Sequence, residues 1–304
     1  MTAGASGNRL VKSRMVATIA RILPLAPATL MIVGFFLIPI LWAVFASLTN
    51  QGLTGAAARN PVFIGLENYY YLFTDSRTWD ALARTAVFVV FSVLGQNVIG
   101  FSIAYARQRA SQIVQSIVTT VMIIAWVVPE VVAGYLWYSF LSAESGALNQ
   151  FFSMLGMERQ EWLVTDPLAA VIFINIWRGC AFSLLIYGAA LQDVSSEVIE
   201  AAEIDGAGSL RKIFGVILPI IRPVILINVV LTTLATLGVF GLIWVVTAGG
   251  PGTRSETLPI YMYTQAYDFG LIGYGSAIAV LLLSLGMIAS LVYVRLFNIG
   301  DKQP

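Results

Sequence analysis

Six stretches of this chain run almost free of charge for long enough to cross a bilayer, at residues 23–48, 81–105, 113–140, 168–191, 217–247 and 271–297. A helix needs ~20 apolar residues to span ~30 Å of hydrocarbon, and each stretch reaches that length. Composition agrees: 58% of the 304 residues are hydrophobic and 11% are charged, against ~25% charged in an ordinary soluble domain. The reading is an all-α membrane protein with six transmembrane helices. The fifth stretch is the longest. Pro219 and Pro223 near its start predict a bent lead-in helix lying near the surface, because proline interrupts the backbone ladder of a straight helix.

Basic residues resist translocation and so orient the spans. Arg9, Lys12, Arg14 and Arg21 precede the first stretch, Arg107 and Arg109 lie between the second and third, Arg211 and Lys212 between the fourth and fifth, and Arg295 and Lys302 at the end. The opposite loops hold Arg59, Arg77, Arg159 and Arg254, with Arg84 at a span edge. Both termini, as tails of residues 1–22 and 298–304, and the loop at 193–218 are therefore expected in the cytoplasm. The basic start resembles a signal peptide, but its apolar run is too long and five more follow, so it reads as an uncleaved first span.

Several chemistries are excluded by what is missing. The chain has no histidine, which removes zinc-protease motifs, Ser-His-Asp triads and histidine metal sites. Its three lysines, Lys12, Lys212 and Lys302, each follow a residue other than glycine, so there is no P-loop. One cysteine, Cys180, permits no intrachain disulfide. The chain is expected to do no covalent chemistry, to hold no metal or cofactor of its own and to bind no nucleic acid; if ATP is used, with its Mg, another chain binds it.

One polar stretch stands apart, "EAAEIDGAGSLRKIFGVILPIIRP" at 200–223. On a helix Val194, Val198, Ala201 and Ala202 share one arc, and Glu197, Glu200 and Glu203 lie opposite. "DGAGS" at 205–209 supplies a tight turn with Ser209 as the expected N-cap. Leu210, Ile213, Phe214 and Ile217 then mark a second short amphipathic helix ending at Pro219. The unit is either a hairpin that joins two spans or a plug whose alanine face and acidic rim fit a cleft in a cytoplasmic partner.

Polar residues inside the spans fall at helical spacing. Asn175, Arg178, Gly179 and Phe182 share a face of the fourth, and Asn228, Thr232, Thr236, Phe240 and Trp244 form an i+4 ladder on the fifth. Hydrogen-bonding groups beside aromatic rings suit a sugar; the same small and polar residues also let helices pack closely. Glu130 and Arg178 are intramembrane charges, each costly near a helix centre unless paired or wetted. They either pair with each other, or Arg178 faces a pathway and reads an anionic group on a solute.

The order "EAA", "DGA" three residues on, then "ILP" and a second proline resembles the coupling loop of binding-protein-dependent ABC importer permeases. The likeness extends through "NIWRGCAFSLLIYGAALQDVSSEVIEAAEIDGAG" (175–208) and "TAGGPGTRSETLPIYMYTQAYDFGLIGYGSAIAV" (247–280), and more faintly to "FIGLENYYYLF" (63–73), all similar to the MalF/UgpA-like carbohydrate uptake branch. The GGP motif favours the first permease of a two-permease system. A third-to-fourth loop of only 27 residues departs from those maltose permeases that carry a large extra domain there.

The resemblance implies a type I importer (MetI-like) permease fold in a bacterial or archaeal inner membrane. It implies a second permease subunit, two ATPase subunits and an extracytoplasmic solute-binding protein as partners. Glu200, Ala201, Ala202, Asp205, Gly206 and Ala207 would couple to the ATPase. Asn175, Gly179, Phe182, Thr232 and Thr236 would contact a sugar-like solute near mid-membrane, with Arg178, Asn228 and Glu130 as further pathway candidates. A stand-alone carrier or channel is the alternative, against which stand the loop motif and the lack of a visible inverted repeat. A membrane-embedded enzyme comes third, because no catalytic cluster survives the exclusions.

Overall fold

The computed structural model describes residues 26–297; both terminal tails, with Arg9, Lys12, Arg14, Arg21 and Lys302, lie outside them. The described chain is helical, with one isolated antiparallel bridge between Thr49 and Phe63. Four helices are long and apolar enough to cross a membrane: α1 (Ala26–Ser47), α2 (Ser76–Arg107), α5 (Pro167–Gln192) and α10 (Ile272–Phe297). Two bent pairs bring the number to as many as six. Where the third span is expected, α3 (Gln112–Val127) meets α4 (Glu130–Leu141) at 103°; at the start of the fifth, Ser209–Ile220 (α7) meets Arg222–Leu237 (α8) at 77°. Between them lies α6 (Ser196–Ile204), and after α8 comes the short α9 (Gly241–Val246).

Each break has a local cause. Val128 is extended at φ −56°, ψ 126° before Pro129; a residue before proline is pushed out of the helical region, and proline has no N–H with which to resume the ladder. Pro219 and Pro223 each sit in the first turn of a helical segment, where proline is tolerated, and the bend falls between them at Ile221. The fifth stretch is broken a second time, at Gly238–Phe240, so it is not the single helix to 247 that its composition implies.

The bundle is built around α2 packed on α5. Small residues allow the approach: a Cβ on Gly100 would come within 2.8 Å of Cys180 O, and one on Gly95 within 2.8 Å of Ile176 Cγ1. One core sits in the half where α9 packs, with Phe88, Val171, Ile174, Leu242 and Ile243 buried; a second, with Ala104, Leu184, Tyr187, Ile217 and Ile221, lies toward the 193–218 loop. The α1 window is wholly unburied within the chain. In a bilayer such a surface carries no penalty, since lipid tails are as apolar as leucine.

At the end opposite the 193–218 loop, the glycine-rich segment 247–257 is pinned to α2. Arg77 donates from Nε to Glu256 Oε2 at 2.9 Å and from Nη2 to Oε1 at 2.6 Å, a bidentate pair with Glu256 almost fully buried. Leu258 N donates to Thr85 Oγ1 at 2.8 Å, and Tyr261 O–H to Asp75 Oδ2 at 2.7 Å. This knot fixes where the chain leaves α9, and so where α9 lies over the bundle.

Candidate solute cavity and coupling face

A cavity of about 410 Å³ opens among α3, α4, α5 and α8, beside the bend at Val128–Pro129. Small-ligand pockets run from ~300 to ~1,000 Å³. Asn175, Arg178, Gly179, Phe182, Thr232, Thr236 and Glu130 all line it, as do Gln96, Trp126, Leu231, Ala235 and Val239. The i, i+3, i+4, i+7 spacing on α5 produces this: four residues share one face, and α8 answers with Thr232 and Thr236 one turn apart. The Trp126 and Phe182 rings stand 5.7 Å apart at 33° and form its aromatic wall.

Gly179 leaves room for a neighbouring side chain. The side-chain amide of Gln96 fills the place where a Cβ would stand, and Gln96 Nε2 donates to Asn175 O at 3.2 Å. Asn175 itself is buried, and its Nδ2 has no hydrogen-bond partner among the described residues. Thr232 Oγ1 donates to Asn228 O at 2.8 Å and accepts from Asn97 Nδ2 at 3.2 Å.

The two intramembrane charges do not pair. The ion pairs among the described residues are Arg77–Glu256, Arg84–Asp80 and Lys212–Glu203. Glu130 Oε1 accepts the backbone N–H of Leu242 at 2.8 Å, and Arg178 Nε lies 3.4 Å from Val128 O. Each charge therefore goes to a backbone group freed by a helix break, where a buried donor or acceptor needs a partner. The terminal nitrogens of Arg178 have no partner among the described residues.

Asn228 departs from expectation. It is fully buried and does not line the cavity; its Nδ2 donates to Asn97 Oδ1 at 2.8 Å and Ser183 Oγ at 3.0 Å, and Tyr187 O–H also donates to Asn97 Oδ1. One turn before Thr232, it belongs to a knot tying α2, α5 and α8 together. Phe240 and Trp244 leave the ladder too, because α8 ends at Leu237; they stack on each other at 5.6 Å and against Tyr263. Gln96, Trp126, Leu231, Ala235 and Val239 are lining residues that sequence reasoning missed, and Gln96 is the amide among them. Its signal was present, since Gln96 and Asn97 are adjacent amides inside an apolar run.

The 193–218 loop folds as two helices around a turn. Ser195 Oγ caps α6 by accepting from Glu197 N at 3.2 Å. Gly206 takes φ +75°, and Ala207 N closes the helix end on Ala202 O at 2.9 Å. Ser209 is not the N-cap: the turn ends one residue earlier, so Gly208 holds that position and no side chain caps α7. Lys212 is buried and pairs with Glu203, and that hydrogen bond, followed by the Lys212 charge, holds the Glu203 carboxyl below its ordinary value.

The exposed face carries Glu200, Ala201, Asp205 and Gly206, whereas Ala202 and Ala207 are half-buried. The apolar stripe of α7 is split. A wide turn at Ile213–Ile217 shifts the register, burying Ile217 while Leu210 and Phe214 stay 70% and 68% exposed. Ile204 and Val198 are exposed as well, so the hairpin presents apolar side chains with an acidic rim, a surface able to enter a partner's cleft.

Comparison with known proteins identifies the family. Residues 96–298 match the profile of the binding-protein-dependent transport system inner membrane component. The chain is 30% identical over 282 residues to the sulfoquinovosyl glycerol transport system permease protein SmoG of Agrobacterium fabrum, covering 92% of this chain and 91% of that one. It is 30% identical over 293 residues to the trehalose transport system permease protein SugA of Mycobacterium tuberculosis (96% and 92%), and 27% identical over 275 residues to the trehalose/maltose permease MalF of Thermococcus litoralis (90% and 92%). Among solved structures, a bacterial ABC transporter involved in import of the acidic polysaccharide alginate superposes with a TM-score of 0.79 at 21% identity, over 95% of this chain and all of that one. With a matching profile over more than half its length and a relative at 30% identity over nine-tenths of it, this chain belongs to the family of binding-protein-dependent transport system inner membrane components.

Proposed function

We propose that this chain is the first of two permeases in an ATP-driven importer, and that a sugar-like solute crosses through the cavity between α5 and α8. The chain is a multi-pass inner-membrane component and no enzyme; ATP hydrolysis, with its Mg, belongs to a partner ATPase, present in two copies. An extracytoplasmic binding protein delivers the solute. ATP-driven closure of the ATPase pair moves the coupling hairpin, and the two permeases alternate between inward-facing and outward-facing states around the cavity.

One observation carries this reading: seven residues chosen from the sequence on three different spans line one cavity of ligand size. The carbohydrates named for the trehalose and trehalose/maltose relatives support a sugar class. Cytoplasmic termini are supported by Arg107, Arg109, Arg211 and Lys212 at one end of the bundle, where Gln108 Nε2 donates to Leu191 O at 3.2 Å. The test is purification of the tagged chain from its native membrane. A stoichiometric ATPase and a second permease should accompany it; a chain that transports while purifying alone would contradict the proposal.

A further inference from the structure

Glu130 is the first residue of α4, placed just past the 103° bend, and its carboxylate crosses to the first turn of α9, the segment that follows the second break of the fifth span. Leu242 is the second residue of α9, so its N–H has no acceptor within that helix. Glu130 Oε1 supplies one at 2.8 Å. The contact around it is close along its length. A Cβ on Gly241 would meet Val131 Cγ2 at 3.1 Å, and one on Gly134 would meet Val245 Cβ at 3.1 Å. Both flanks are breaks in the helical ladder, at Val128–Pro129 and at Gly238–Phe240. Glu130 and Val239 also line the cavity.

We propose that Glu130 is a positioning residue for transport: it ties α4 and α9 into one rigid cap at the cavity, and the two breaks are the hinges about which that cap moves when access alternates. This rests on the reading of the cavity as the solute's site. A charge-assisted bond from a side chain to backbone fixes the start of α9 without committing α8 to the same motion, because no helical ladder passes through Gly238–Phe240. The close glycine contacts join α4 to α9, whereas the helical ladders of α3 and α8 end at the breaks.

Two measurements on the complete importer in nanodiscs or cells test it. In the first, Ala235→Cys reports the cavity through its labelling by a membrane-impermeant maleimide, with Cys180→Ser removing the background thiol. With Glu130→Ala, labelling from outside should rise about tenfold in the resting complex, the size expected from losing one charge-assisted hydrogen bond in a single state. Glu130→Gln keeps an oxygen for Leu242 and should label like the parent. Unchanged labelling with Glu130→Ala overturns the proposal, and so does an increase that Glu130→Gln shares in full.

The second measurement does not depend on how Glu130→Ala folds. Gly134→Cys with Val245→Cys stands within about half an ångström of the ~3.5–4.5 Å Cβ separation of a disulfide. Oxidation should cross-link α4 to α9 and leave binding-protein-stimulated ATP hydrolysis within about twofold of the reduced form, as for one body moving on hinges. A cross-linked complex that stops turning over shows that α4 and α9 slide past each other, and the cap is wrong. If maleimide reaches Ala235→Cys from neither face in any state, the cavity reading fails, and the cap with it.

Discussion

Gln96 and Gly179 interlock across the α2–α5 contact: the amide of Gln96 occupies the space that any side chain at 179 would need. The same amide donates to Asn175 O and forms part of the cavity wall. A single methyl group at 179 must therefore displace a cavity residue.

Gly179→Ala should leave the chain inserted but impair transport, because overpacking of this kind costs about 1–3 kcal/mol and here falls on the cavity wall. Shortening the clashing partner should relieve it. Uptake by Gly179→Ala with Gln96→Ala, compared with each single variant, measures the coupling; strictly additive losses would show that the two side chains do not meet.

Arg178→Gln should assemble normally, since among the described residues the guanidinium makes one hydrogen bond, from Nε to Val128 O at 3.4 Å. Its terminal nitrogens, without a partner among the described residues, would donate to a solute hydroxyl or acid group. Losing a charge-assisted hydrogen bond of about 1.5–3 kcal/mol should raise the apparent KM for uptake by roughly ten- to a hundredfold at unchanged assembly. Size-exclusion profiles of the complex and uptake kinetics check the two halves. Failure to assemble would mean that Arg178 holds the bundle together.

The all-helical fold, the helix–turn–helix at 193–218 and most of the residues that share the cavity wall were legible in the sequence because helical spacing fixes which residues share a face. What the breaks did was not. Pro129 sits inside "VVPEVV", an apolar run unbroken by length, so the run reads as one span while the residue before proline leaves the helix. With that bend hidden, a mutual pair of Glu130 and Arg178 stood as one of two readings, beside an Arg178 that faces the pathway. Only the fold exposes the Leu242 N–H and Val128 carbonyl they serve. Phe240 and Trp244 were misplaced for the same reason, since a ladder cannot be projected past Gly238. The wide turn at Ile213–Ile217 likewise moves Leu210 and Phe214 to the exposed face, a register change that composition does not encode.

The Glu203–Lys212 pair gives the hairpin a pH dependence. The Glu203 carboxyl is held below its ordinary value by Lys212, so the pair's contribution is complete above the usual carboxylate pKa of ~4.3 and is lost as pH falls through the lower folded value. At neutral pH the hairpin should be insensitive to small pH changes, and Lys212→Met should loosen it. Amide hydrogen exchange across 200–208 reads this directly: faster exchange in Lys212→Met at pH 7 is expected, and equal exchange would remove the pair from the account.

The most direct test of the central claim, that solute passes between α5 and α8, is uptake through a plugged cavity. Ala235 lines the cavity and is exposed within the chain, so Ala235→Trp adds volume there without displacing a buried neighbour. The assembled importer carrying Ala235→Trp should keep its basal ATP hydrolysis and lose solute uptake. Full uptake by that complex would contradict the account and place the pathway elsewhere.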